Sequence, residues 1–161
     1  MVVPLIGGAA TGLETNLSPL QGVAQLYNQF VFQASVIKYI PSVGLNTSGN
    51  VTASYITNVE TMAYILDPAR TYSEIRGVCI SQANAVSHPI WQEFSYAMSG
   101  VPRKKRFDTN RTNPITDTNI VDRDCQGVFI VVISGGPVSS LVSTPRRESR
   151  ILLEGLTTTA A

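Results

Sequence analysis

Between Phe30 and Ile56 the side chains alternate with a period of two, and this run constrains the fold more than any other part of the chain. Residues 30–40 read Phe-Val-Phe-Gln-Ala-Ser-Val-Ile-Lys-Tyr-Ile. β-branched and aromatic residues dominate, which suits a pleated, half-buried surface. Strict alternation places Phe30, Phe32, Ala34 and Val36 on one face. It places Val31, Gln33, Ser35, Ile37 and Tyr39 on the other. Pro41 ends the strand because it has no N–H for a ladder. After a loop over residues 41–50, Val51, Ala53 and Tyr55 alternate with Thr52, Ser54 and Ile56.

Further strands follow the same reasoning. Residues 75–81 and about 94–99 read as strands. Residues 127–133, Gly-Val-Phe-Ile-Val-Val-Ile, form a run apolar on both faces and closed by Gly135-Gly136-Pro137. Residues 138–142 and 151–153 are shorter strand candidates. Ser18-Pro19 offers a helix start, and Leu20, Val23, Ala24 and Tyr27 give a helical stripe, so a short helix is expected at 19–28. Asp67-Pro68 marks a turn or helix start, and His88-Pro89 precedes a short turn. Strands do not alternate with long helices, which disfavours a parallel α/β sheet. The expectation is all-β: six to eight short strands in a sandwich or barrel, with one or two short helices in the connections.

The 161 residues make one ordinary domain, long enough to bury a core without disulfides. Only 14% of them are charged, against about 25% in ordinary soluble domains. Desolvating Lys and Glu is costly, so a surface poor in charge suits a subunit buried against copies of itself. Net charge is +1 but uneven. Residues 1–100 hold three basic and five acidic residues, whereas residues 101–161 hold nine and six. No stretch has the length of a membrane-spanning helix, and the short apolar start lacks the basic region of a signal peptide. Four Asn-x-Ser/Thr sequons, at Asn16, Asn46, Asn50 and Asn110, are what this Asn-, Ser- and Thr-rich composition produces.

Catalysis finds little support. His88 is the only histidine and has no nucleophile or carboxylate at a motif spacing. Cys79 lies in an apolar context and reads as buried, whereas Cys125, after Asp122-Arg123-Asp124, reads as more exposed. Two cysteines and one histidine make neither a disulfide framework nor a zinc site. Asp117, Asp122 and Asp124, with Asp108 nearby, are candidate oxygen ligands for a hard cation such as calcium, set against a solvated loop with local caps. Arg103, Lys104, Lys105 and Arg106 form a basic run, and Arg146, Arg147 and Arg150 a second group. Both could neutralise phosphates without reading bases, or lie solvated or in ion pairs between subunits.

Several features occur together in a recognisable order: Leu17-Ser18-Pro19, Ala24-Gln25-Leu26-Tyr27, Phe30-Val31-Phe32, Tyr39-Ile40-Pro41-Ser42-Val43 and Ser48-Gly49-Asn50-Val51. With Pro89-Ile90-Trp91-Gln92, the basic run and the strand from Gly127, they resemble the shell domain of coat proteins of small icosahedral positive-strand RNA viruses, of the tombusvirus-like and sobemovirus-like kind. The resemblance spans roughly residues 17–135. It implies an eight-stranded antiparallel jelly-roll sandwich, with residues 1–16 a weakly structured arm, 17–156 the shell domain and 157–161 a tail. It also implies a structural, non-enzymatic subunit of a virion, assembled in the host cytoplasm from about sixty or more copies around genomic RNA, with no membrane partner. Calcium between subunits, on Asp108, Asp117, Asp122 and Asp124, is what the family suggests. The first sixteen residues depart from the long Arg/Lys-rich arm usual there. The alternative is a small β-sandwich binding module for a ligand or nucleic acid, for which Trp91 and Tyr96 would be the aromatic pair.

Overall fold

The structure, a computed structural model, describes residues 2–6, 26–98, 107–108, 118–137 and 143–156. Most of the helix expected at 19–28, the strand at 138–142, Arg103–Arg106 and Asp117 lie outside the described residues. The described elements are β1 (Val2–Ile6), β2 (Tyr27–Pro41), β3 (Asn50–Ile56), α1 (Val59–Leu66), α2 (Tyr72–Ser81), β4 (Val86–Pro89), β5 (Phe94–Ala97), β6 (Phe107–Asp108), α3 (Thr118–Asp124), β7 (Cys125–Ser134) and β8 (Ser143–Leu156). The weakly structured arm expected at the start contains β1, which pairs with β7 through Val2↔Ile130 and Val3↔Phe129.

Two antiparallel sheets face each other. One has the order β1-β7-β3-β4. The other is centred on β2, whose whole length pairs with β8. The opposite edge of β2 pairs with β5 at residues 36–39 and with β6 at residues 29–30. Between the sheets lies an aromatic core of Phe30, Phe32, Ile37, Tyr39, Val51, Ala53, Tyr55, Phe94, Tyr96, Phe129 and Val131. Tyr39 stacks on Phe94 at 5.2 Å, and its hydroxyl donates to the Ile90 carbonyl at 2.8 Å.

A second core lies on the far side of the first sheet. Met62, Ala63 and Ile65 of α1, Cys79 of α2 and Val121 of α3 pack there on Ile56, Cys125, Val128, Ile130 and Val132. Strand β7 is therefore covered on both faces, which accounts for its unbroken apolar run. Cys125, expected to be more exposed, is fully buried beneath the helices. Its acidic neighbours belong to α3, and the chain turns inward as β7 begins.

Two expectations fail for definable reasons. Residues 75–81 are helix, not strand. The start of α2 is fixed by a capping box: the Thr71 hydroxyl accepts from the Glu74 N–H and the Glu74 carboxylate accepts from the Thr71 N–H at 2.8 Å. The pattern Thr-x-x-Glu is visible in the sequence and outweighs the β-branched content of Ile75, Val78 and Ile80. Helices also number three among the described residues, where one or two were expected.

The faces of β2 follow the expected alternation only as far as Phe32. A register shift against β8 falls between Phe32 and Ala34. Gln33 is an extra residue, so the inward side changes from even to odd positions. Phe30 and Phe32 point into the core, and so do Ser35, Ile37 and Tyr39. Ala34, expected to share the face of Phe32, is exposed.

Candidate assembly and nucleic-acid surfaces

Among the described residues the helices cover one sheet, and none of them covers the outer face of the β2–β8 sheet. Its side chains follow from the register after the bulge. Lys38 lies opposite Arg146, Val36 opposite Glu148, and Ala34 opposite Arg150. Directly opposed residues of an antiparallel pair share a face, so Lys38, Arg146, Glu148 and Arg150 all point outward. Lys38 Nζ donates to Glu148 Oε1 at 2.8 Å. That hydrogen bond and the lysine charge hold the Glu148 carboxyl below its ordinary range.

The second basic group therefore divides. Arg147 lies opposite the buried Ile37, and its guanidinium sits over the Phe32 ring, 5.1 Å from the centroid. Arg146 and Arg150 are exposed on the other face. Beside Arg147, Ser149 hydrogen-bonds Ser35 at 2.7 Å. Three arginines close together in sequence make one outward pair and one inward cation–π contact.

The first basic group lies outside the described residues, but the described strands on either side of it can be placed. Ala97 pairs with Val36 and Phe107 with Phe30. The two described pairings, at Ala97 and at Phe107, thus meet the same edge of β2 six positions apart. Residues 103–106 immediately precede the return point.

Between these two pairings, where no described strand lies against β2, a buried side chain bonds its backbone. Gln126 reaches across from β7, accepts from the Phe32 N–H at 2.6 Å and donates to the Phe32 carbonyl at 2.8 Å. The Met98 N–H donates to the Ser35 carbonyl at 2.8 Å. Nothing in the sequence marked Gln126. It appears as one polar residue at the start of an apolar strand.

The acidic candidates do not converge. Both carboxylate oxygens of Asp124 accept from Arg123, at 2.6 and 2.9 Å, and Asp124 is fully buried. Asp122 lies two positions earlier on α3, roughly 200° around the helix. Asp108 lies opposite Gln29 at the edge of β2, and its side chain is outside the described residues, as is Asp117. Among the described residues no three His, Cys, Asp or Glu side chains group as metal ligands. His88 stacks on Phe94 at 4.7 Å, inside the sandwich rather than in a cleft.

At one end of the sandwich, three loops meet. The Ile90 N–H donates to the Gly49 carbonyl at 3.1 Å. Gly49 has φ +129, and a Cβ there would lie 2.9 Å from the Ser134 carbonyl oxygen. Leu45 is 75% exposed on this end and Trp91 37%. Tyr96 is buried, with its hydroxyl on the Asn84 carbonyl at 2.8 Å, so the aromatic pair expected of a binding module is not one surface. A cleft of about 600 Å³ lies nearby, lined by Tyr72, Ser73, Arg76 and residues 133–137. The Tyr72 hydroxyl donates to the Ile133 carbonyl at its base.

Comparison with known proteins places this geometry. Residues 11–63 match the family model of viral coat protein (S domain). No curated protein sequence matches the chain significantly. Among solved structures, the chain is similar to the T=3 Penaeus vannamei nodavirus particle with TM-score 0.68 and 11% identity, over 98% of this chain and 45% of that one. It is similar to Cocksfoot mottle virus with TM-score 0.68 and 15% identity, over 98% of this chain and 85% of that one. It is similar to Melon necrotic spot virus with TM-score 0.62 and 22% identity, over 87% of this chain and 38% of that one. The chain spans less than half the length of the first and third of these chains. The fold of its two antiparallel sheets is similar to that of these virus particles' proteins, and residues 11–63 match the viral coat protein (S domain) model.

Proposed function

We propose that this chain is a structural capsid subunit that assembles with copies of itself into a closed icosahedral shell around viral RNA. The observation that carries this reading is the match of nearly the whole chain to capsid shells, 98% of its length at TM-score 0.68 in two different viruses. The scarcity of charge and the apolar end bearing Leu45 and Trp91 support it, because both suit surfaces buried between subunits. A catalytic role has no support in the placement of His88 or the cysteines. Virion residence, with assembly in the host cytoplasm, belongs to the same reading.

RNA contact is assigned to Arg103, Lys104, Lys105 and Arg106, with Arg146 and Arg150 as secondary phosphate contacts. Arg147 has less support, since it faces Phe32. Neutralising the four residues of the run removes four cations that can release counterions. Assembled material from the variant should carry less nuclease-protected RNA and show a shallower salt dependence of RNA binding. Unchanged RNA content would remove the assignment. Calcium at subunit boundaries has weaker support. Asp124 is committed to Arg123, and any such site would need Asp108, Asp117 or Asp122 together with oxygens from a neighbouring copy.

A further inference from the structure

Strand β8 is fourteen residues long and pairs along one edge with β2. Among the described residues, no strand pairs with its other edge. A long edge strand exposes a row of N–H and C=O groups and is a template for pairing unless something covers it. Its outward side chains include Arg150, Leu152 and Glu154, in the order cation, apolar, anion. On β2 they lie opposite Ala34, Val31 and Gln29, none of them charged.

This order is self-complementary under a two-fold axis. Two antiparallel copies of β8 centred on Leu152 set Arg150 of one against Glu154 of the other, twice, and Leu152 against its own copy between them. On the inner face Ile151 meets Leu153. Other registers lose this. Centring on Ile151 puts Glu148 opposite Glu154 and Arg150 opposite Leu152. Centring on Arg150 opposes two arginines. Centring on Ser149 sets Arg150 against Glu148, which Lys38 already holds at 2.8 Å, and Arg146 against Leu152. Like charges directly opposed in a sheet are destabilising and opposite charges are favourable. Gly155, with φ +70, departs from extended backbone just beyond the matched stretch.

We infer that the free edge of β8 is a homotypic docking site: two copies of this chain join β8 to β8, antiparallel and centred on Leu152, into one sheet that runs through both subunits. The inference rests on the self-assembly reading and adds the contact that begins it. An isologous pair of this kind is closed by symmetry and needs no other partner. Glu154 also has an interaction within its own chain, and a carboxylate has acceptor capacity for more than one donor.

The test uses the full chain at low ionic strength. Arg150→Glu and Glu154→Arg should each weaken the dimer about tenfold by sedimentation, because each creates two like-charge pairs across the axis. The double variant should recover to near the wild-type constant, since the swapped charges meet again. Leu152→Cys should form an interchain disulfide on mild oxidation. Glu148→Cys should not, because the two copies of residue 148 lie eight residues apart along the paired strands, about 27 Å. The native Cys79 and Cys125 are buried and give no background. A double variant no better than the singles, or equal crosslinking at residues 148 and 152, would overturn the proposal. Electron microscopy of the same samples separates the two readings. Particles without charge-swap rescue would leave the shell and remove this contact. Rescued dimers without particles would leave the contact and remove the shell.

Discussion

The carboxamide of Gln126 takes the place of strand backbone beside Phe32, joining the two sheets through a pair of short hydrogen bonds. It is 2% exposed, so no water can replace it when it is removed. Gln126→Leu leaves a buried N–H and a buried carbonyl without their partner, each costing about 1–3 kcal/mol. Urea denaturation should show a loss of roughly 2–4 kcal/mol with an unchanged slope. A loss under about 0.5 kcal/mol, the range of an ordinary surface change, would contradict the bridging role. Glu74 offers a second residue-level test. Hydrogen bonds from the Thr71 backbone and side chain, followed by that from Tyr64, lower its pKa to about 2. A carboxylate with a depressed folded pKa contributes stability that is complete above its unfolded value, near 4.3, and is lost as pH falls through the folded value. The wild type should therefore lose this contribution between about pH 4.5 and pH 2, and Glu74→Gln should flatten that part of the stability–pH curve. An unchanged slope in the variant would show that the cap does not depend on the charge. Neither residue's role follows from composition or periodicity. Thr71 and Glu74 at capping-box spacing could have been read, whereas Gln126 depends on the backbone of Phe32, 94 positions away.

At the scale of elements, the periodic runs from Phe30 and from Val51 became β2 and β3, and the one error in them was local. Alternation is a strong signal where one face is buried, so β2 and β3 were legible, and β7 was legible as an unbroken apolar run closed by turn residues. The Gln33 bulge was not, because inserting one residue leaves the composition of a strand unchanged while exchanging its faces. Alternation along the unbroken β8, in phase with the inward Ile151 and Leu153, is why Arg147 points inward while Arg146 and Arg150 do not, which no count of charges could show. Strand β7 carries its own constraint. Gly127 lies under the Tyr55 ring, and a Cβ there would collide with the phenol. Tyr55 is itself held against Phe129 at 4.8 Å and cannot easily move aside. Gly127→Ala should cost about 1–3 kcal/mol by overpacking, read as a fall in denaturation midpoint. A neutral or stabilising result would mean that the two sheets can separate locally without loss. On β3's loop, Gly49→Ala should be destabilising for a different reason, since φ +129 is strained for any L side chain and the Ser134 backbone is in the way.

For the whole molecule, the asymmetry between the two sheets is the organising fact. One sheet is buried on both sides, by the aromatic core and by α1, α2 and α3. Among the described residues, the other has no layer on its outer face and no strand on the second edge of β8. The fold class was legible because short alternating strands without long intervening helices leave few arrangements. The interaction surfaces were not, because Leu45, Trp91 and the β8 edge are identified only by what fails to cover them. Purified chain imaged by negative-stain electron microscopy tests the central claim most directly. The shell reading predicts closed particles of uniform diameter. A monodisperse monomer at high protein concentration, with and without calcium, would contradict it.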